Sequence, residues 1–173
     1  MKRTIFLSVA AAIVTSFLAF TPHASGHTDE KAPPNYEVQI PAGYRELKLI
    51  SVAHEAGNLN DIRAILGNDE AIKAFREAKL PFPDGTIIAR LAWKYVPSEE
   101  NNKAFGSEQS FVAGSPTNVQ FMVKDSKRYA TTGGWGFGQF TNGRPVNEAK
   151  AETCFSCHEP AKTRDFIFAH YAP

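Results

Sequence analysis

Two cysteines and a histidine stand together as Cys154-Phe155-Ser156-Cys157-His158, and these are the only two cysteines of the chain. The spacing is that of c-type haem attachment. Each thiol adds across one vinyl group of a porphyrin, and the histidine that follows becomes the proximal axial ligand of the iron. Competing chemistries need partners that the sequence lacks. A thioredoxin-like redox pair sits inside a βαβ pattern, yet the 173-residue chain ends 15 residues after His158, with Pro160 and Pro173 in that tail. A zinc site needs further Cys or His ligands at metal spacing, and no second pair exists. A disulfide between Cys154 and Cys157 would close a loop too short to constrain much. The motif predicts one covalent haem c, tethered by Cys154 and Cys157, with His158 on the iron.

The first 26 residues fit this chemistry. Lys2 and Arg3 precede an apolar run from Ile5 to Phe20, and Thr21 to Gly26 is small and polar. This reads as a secretory signal peptide, 1–26, rather than a membrane anchor, for which the run is short. Export to the periplasm accords with haem ligation outside the cytoplasm. Without that segment, 17 basic and 18 acidic residues remain, so nothing points to nucleic acid or an anionic surface.

The opposite side of the iron decides between ligand binding and plain electron transfer. Past the signal segment the chain has one methionine, Met122, and three histidines besides His158: His27, His54 and His170. His27 lies in an extended lead-in, 27–43, rich in proline. Met122 sits in an apolar strand pattern and reads as core. His54, at a strand end, is the serious histidine candidate. An open or water-occupied distal site is the expectation.

The elements that must position these groups are mostly strands. Arg45 to Ala53 and Asp61 to Leu66 read as short strands, and Asn68 or Asp69 caps a helix with Ala71, Ile72, Phe75 and Ala78 at helical spacing. Thr86 to Val96 alternates, with Ile88, Arg90, Ala92 and Lys94 on one face. Pro97 to Lys103 reads as a polar loop, Gln109 to Ala113 and Val119 to Val123 as two strands, and Ser126 to Ala130 as one helical turn. In Gly134-Trp135-Gly136-Phe137-Gly138-Gln139-Phe140, alternation leaves one face bare glycine. That face admits close approach of a haem plane or of a packed neighbouring element. Asn147 to Cys157 is the helix that presents the haem motif, and Asp165 to Tyr171 is aromatic enough to pack. Arg90 places one guanidinium on an apolar face. Beside an open iron it would hydrogen-bond an anion or polar diatomic; otherwise it snorkels to solvent or pairs with a carboxylate.

From about Tyr44 to Pro173 the chain resembles the cytochrome P-460 family, with its non-cross-linked relatives the cytochromes c′-beta. The resemblance rests on landmarks in order: Asp61-Ile62-Arg63, Pro83-Asp84-Gly85-Thr86, Val123-Lys124-Asp125-Ser126, Gly134-Trp135-Gly136-Phe137, the haem motif, then Ala161-Lys162-Thr163 and Phe166-Ile167-Phe168. It implies an α+β fold, a curled antiparallel sheet with a few short helices, over 44–173. It also implies a five-coordinate haem and a periplasmic homodimer, and with these go a small diatomic or hydroxylamine-like ligand and a soluble cytochrome c as redox partner. Hydroxylamine-oxidising members carry a lysine linked to the porphyrin edge, and the matching position here is Arg90. Arginine is a poor nucleophile for such a link. Arg63 matches a distal-pocket arginine, and a carboxylate of some active members falls at Ala149, or at Glu148 with a one-residue slip. The implied function is binding, and oxidation or reduction, of nitric oxide or hydroxylamine. A six-coordinate electron carrier and a weak peroxidase are the alternatives.

Overall fold

The computed structural model describes residues 38–146 and 148–172. The expected signal segment, 1–26, and most of the expected lead-in, 27–43, therefore lie outside the described residues. Six strands form one open antiparallel sheet in sequence order: β1 (Lys48–Glu55), β2 (Asp61–Gly67), β3 (Ile87–Pro97), β4 (Phe111–Lys124), β5 (Trp135–Thr141) and β6 (Arg144–Pro145). Among the described residues, three α-helices accompany it: α1 (Asp69–Arg76), α2 (Glu99–Phe105) and α3 (Glu148–His158). This is the expected α+β architecture, with the haem motif on the C-terminal helix.

α1 begins where Asn68 accepts from the Ala71 backbone N–H at 3.2 Å, the ordinary N-cap contact. The same Asn68 side chain accepts from Ile87 N–H at 3.0 Å and donates to the Gly85 carbonyl at 2.8 Å. One residue thus ties the start of α1 to the start of β3.

Three sequence expectations are corrected. The stretch from Pro97 is not simply a loop, because Glu99–Phe105 is helical. It buries no residue and exists through its caps: Ser98 accepts from Asn101 N–H, and Gly106 closes the end in the left-handed conformation at φ 73°. The two strands expected around 109–123 are one strand, β4, of 14 residues. Its Pro116 lies opposite Trp93, where the β3–β4 register shifts, and a bulge is where a strand tolerates proline. In addition, Ser126 to Tyr129 is turn, with a 3₁₀ turn following at Ala130–Thr132.

Cross-strand partners share a sheet face. On the first face, Ile88 pairs with Met122 and Met122 with Phe137, while Arg90 pairs with Gln120 and Gln120 with Gln139. Helix α1 and the C-terminal segment pack on its apolar part, where Ile50, Ile72, Phe82, Ile88, Met122, Trp135, Phe137 and Ile167 form a buried cluster. The second face carries Ala89, Phe121, Tyr129, Phe140 and Val38. The glycines of β5 point to this second face. A Cβ at Gly136 would stand 2.4 Å from the Tyr129 ring, and one at Gly138 would stand 2.5 Å from the Val38 carbonyl. Packed neighbours, not a haem plane, require them.

Candidate functional site

Cys154, Cys157 and His158 are related as i, i+3 and i+4 on α3, so they share one helix face. Both thiols are free; Cys154 is half-buried and Cys157 exposed. Burial, and then the neighbouring Cys157, push the Cys154 thiol up. Phe155, between them in sequence, packs against Phe137 and Phe166 with ring centres 6.3 and 5.5 Å away. This fixes α3 on the first sheet face.

His158 ends α3, and its Nδ1 lies 2.7 Å from the Phe166 carbonyl oxygen. A carbonyl only accepts, so Nδ1 carries the proton and Nε2 keeps its lone pair for a metal. Burial pushes the imidazole below its ordinary value, against the opposing effect of the Phe166 carbonyl. The ring sits between Phe137 and Phe168, with centres 5.5 and 5.3 Å away.

The Phe166 carbonyl is aimed by a tight turn. Asp165 and Phe166 have φ of 51° and 66°. Such a pair is sparsely populated for non-glycine residues, and the surroundings hold it. The Asp165 carboxylate accepts from Lys124 Nζ at 2.8 Å and from Phe82 N–H at 2.9 Å. Lys124 Nζ also donates to the Gly133 carbonyl at 3.0 Å and lies 4.8 Å above the Trp135 ring.

The polar residues of the first face form a second group. Arg63 Nε donates to Asp61 Oδ1 at 2.7 Å, and Arg63 Nη1 lies 3.0 Å from Glu55 Oε2. Arg90 Nη2 is ion-paired with Asp61 Oδ2, and Arg90 Nη1 donates to Asn118 Oδ1 at 2.8 Å. Beside them, Gln120 donates to Gln139 at 3.0 Å. Burial, then the nearby Arg63, push Arg90 below its ordinary value while Asp61 opposes the shift. The two arginines singled out in the sequence are therefore brought together, on the same sheet face as Phe137. Of the readings open for Arg90, pairing with a carboxylate is the one that the structure displays.

The remaining sequence candidates are placed elsewhere. His54 pairs in register with Ile62, on the second face, and stacks on Tyr95 with ring centres 3.8 Å apart. His170 is exposed and lies 2.9 Å from Arg164 Nη1. Met122 is buried among Ile88, Trp135 and Phe137. Glu148 and Ala149 fall in the first turn of α3, but their side chains, like His27, lie outside the described residues. Lys94 is exposed and stands opposite Asp61. Asp61, Asn118, Lys124 and Asp165 were not picked out as site residues. The Asp61-x-Arg63 alternation was the available signal for the first, since period two puts both on one face.

Paired thiols, a histidine prepared at Nε2 and an aromatic surround fit a covalently attached haem, and they define a c-type haem protein. Among the described residues, no group of three or more His, Cys, Asp or Glu side chains could hold a metal ion by itself. The profile of the Cytochrome P460 family matches residues 41–169. The chain belongs to that family, whose cofactor is one covalent haem c and which is related to hydroxylamine-oxidising cytochromes. No curated protein matches the chain.

Proposed function

We propose that this protein is an exported mono-haem cytochrome whose iron keeps an open distal side and binds, and slowly turns over, nitric oxide or hydroxylamine-like molecules. Cys154 and Cys157 form the thioethers, and His158 Nε2 is the axial ligand. When bound, the haem supplies a redox-active iron. Arg63 and Arg90 supply hydrogen-bond donors on the distal side, and Phe137 and Phe155 cover the proximal side.

The observation that carries this reading is the fate of the other possible ligands among the described residues. His54 faces the other side of the sheet from Arg63 and Arg90, His170 is exposed and engaged with Arg164, and Met122 is buried in the core beside its cross-strand partner Phe137. The periplasm is the expected compartment. A homodimer is supported by Leu49 and Val52, which are 49% and 59% exposed on the edge strand β1. Phe168 is half-exposed beside His158 and offers a contact for a soluble cytochrome c.

Visible spectra of the exported protein test the proposal. Ferric and ferrous forms should both be high-spin, and the ferrous form should take up nitric oxide and carbon monoxide without a slow ligand-loss step. Low-spin spectra in both redox states would instead identify an electron carrier with a sixth protein ligand.

A further inference from the structure

We infer that Asp61 is a specificity-determining residue that makes the distal pocket electrically neutral, so that it favours neutral polar ligands over anions. This rests on the open distal site proposed above.

Two guanidiniums on one buried surface would ordinarily make an anion site. Here one carboxylate spans both. Asp61 Oδ1 takes Arg63 Nε at 2.7 Å, and Asp61 Oδ2 takes Arg90 Nη2. The Asp61 side chain is 4% exposed, and each arginine side chain is 13% exposed. Glu55 supplies the second negative charge, 3.0 Å from Arg63 Nη1. The four groups thus cancel in number: Arg63 and Arg90 against Asp61 and Glu55. The other charged group facing them in register is Lys94, which is exposed, and solvent screens it. An anion entering this pocket meets a pair already neutralised at short range, where screening is weak.

Donor capacity survives the neutralisation. Arg90 Nε is buried and, among the described residues, has no hydrogen-bond partner. Arg90 Nη1 is held by Asn118, which itself pairs in register with Ala92, one row along from Arg90 and Gln120. The guanidinium is therefore fixed by Asp61 on one side and Asn118 on the other, with a donor to spare. A spare donor on a neutral, largely buried sheet face suits a small polar molecule without charge, the class to which hydroxylamine, nitric oxide and hydrogen peroxide belong. Azide, nitrite and fluoride gain little there.

The test uses haem-loaded wild type, Asp61→Asn and Glu55→Gln. Ferric protein is titrated with azide and fluoride, and ferrous protein with carbon monoxide, by absorption. Asp61→Asn should tighten azide and fluoride binding by about tenfold or more, a factor that corresponds to about 1.4 kcal/mol, with carbon monoxide affinity changed less than about twofold. Glu55→Gln, at a half-exposed position, should tighten anion binding in the same direction by a smaller factor and carries the test where the buried substitution fails to fold. Anion and carbon monoxide affinities that move together, or anion affinity that falls or stays constant in both variants, overturns the role of Asp61 while the open site stands. Wild-type protein that binds neither carbon monoxide nor azide overturns both.

Discussion

Lys124 Nζ lies 2.8 Å from Asp165 Oδ1, and both side chains are more than nine-tenths buried. This ion pair stands behind the turn that carries the Phe166 carbonyl to His158 Nδ1. Removing one partner of a buried pair leaves an uncompensated charge and costs about 3–5 kcal/mol. Lys124→Met should lose stability of that order in denaturant unfolding. It should also loosen the His158 hydrogen bond. A donor imidazole bonded at Nδ1 is a more basic ligand, which favours ferric iron. The haem potential of Lys124→Met should therefore rise, with partial return in Lys124→Arg. Unchanged stability and potential would mean that the turn is held by other contacts.

In the resemblance to the family, Arg90 stands where a cross-linking lysine would lie. Its guanidinium is occupied by Asp61 and Asn118, and arginine stays protonated at ordinary pH. The holoprotein should show an ordinary high-spin c-type spectrum and no link beyond two thioethers. Peptide mapping that finds Lys94 joined to the porphyrin, or a strongly red-shifted ferrous Soret band, would contradict this.

The opening of β3 has its own signature in acid. Asp84 accepts from the Ser126 hydroxyl and from the Ser126 backbone N–H, each at 2.8 Å. These bonds, the hydroxyl first, hold the Asp84 carboxyl below its ordinary value of 3.8. A depressed folded-state value means that the unfolded chain binds the proton first. The contribution is therefore fully present above about pH 3.8 and is lost as pH falls from there through the folded-state value. Ser126→Ala should raise the Asp84 value measured by NMR and flatten this part of the acid limb. An unmoved value would sever Asp84 from Ser126.

Much of this arrangement is legible in the sequence. The haem motif is a local pattern, so Cys154, Cys157 and His158 needed no fold to be seen. Period-two alternation placed Arg90 with Ile88 and Ala92 correctly, and helical spacing found α1. What escaped has physical reasons. Helix α2 has no buried residue and so no apolar period to read. β4 runs through Gly114 and Pro116, both ordinary strand breakers, because extra residues of β4 itself on either side of Pro116 bulge the strand and absorb the proline. The glycine face of β5 was open to two readings until Tyr129 and Val38 were seen against it. Lys124 and Asp165 are 41 residues apart, and Asp61 meets Arg90 only through the β2–β3 register. Such pairings are properties of topology, not of any local window.

The claim on which the rest depends is covalent attachment of haem through the C-terminal motif. The direct measurement is the intact mass of the protein after denaturation in acid and organic solvent. The account predicts polypeptide plus one haem, with one thioether remaining in Cys157→Ala. Bare polypeptide, with haem released into the solvent phase, would contradict it.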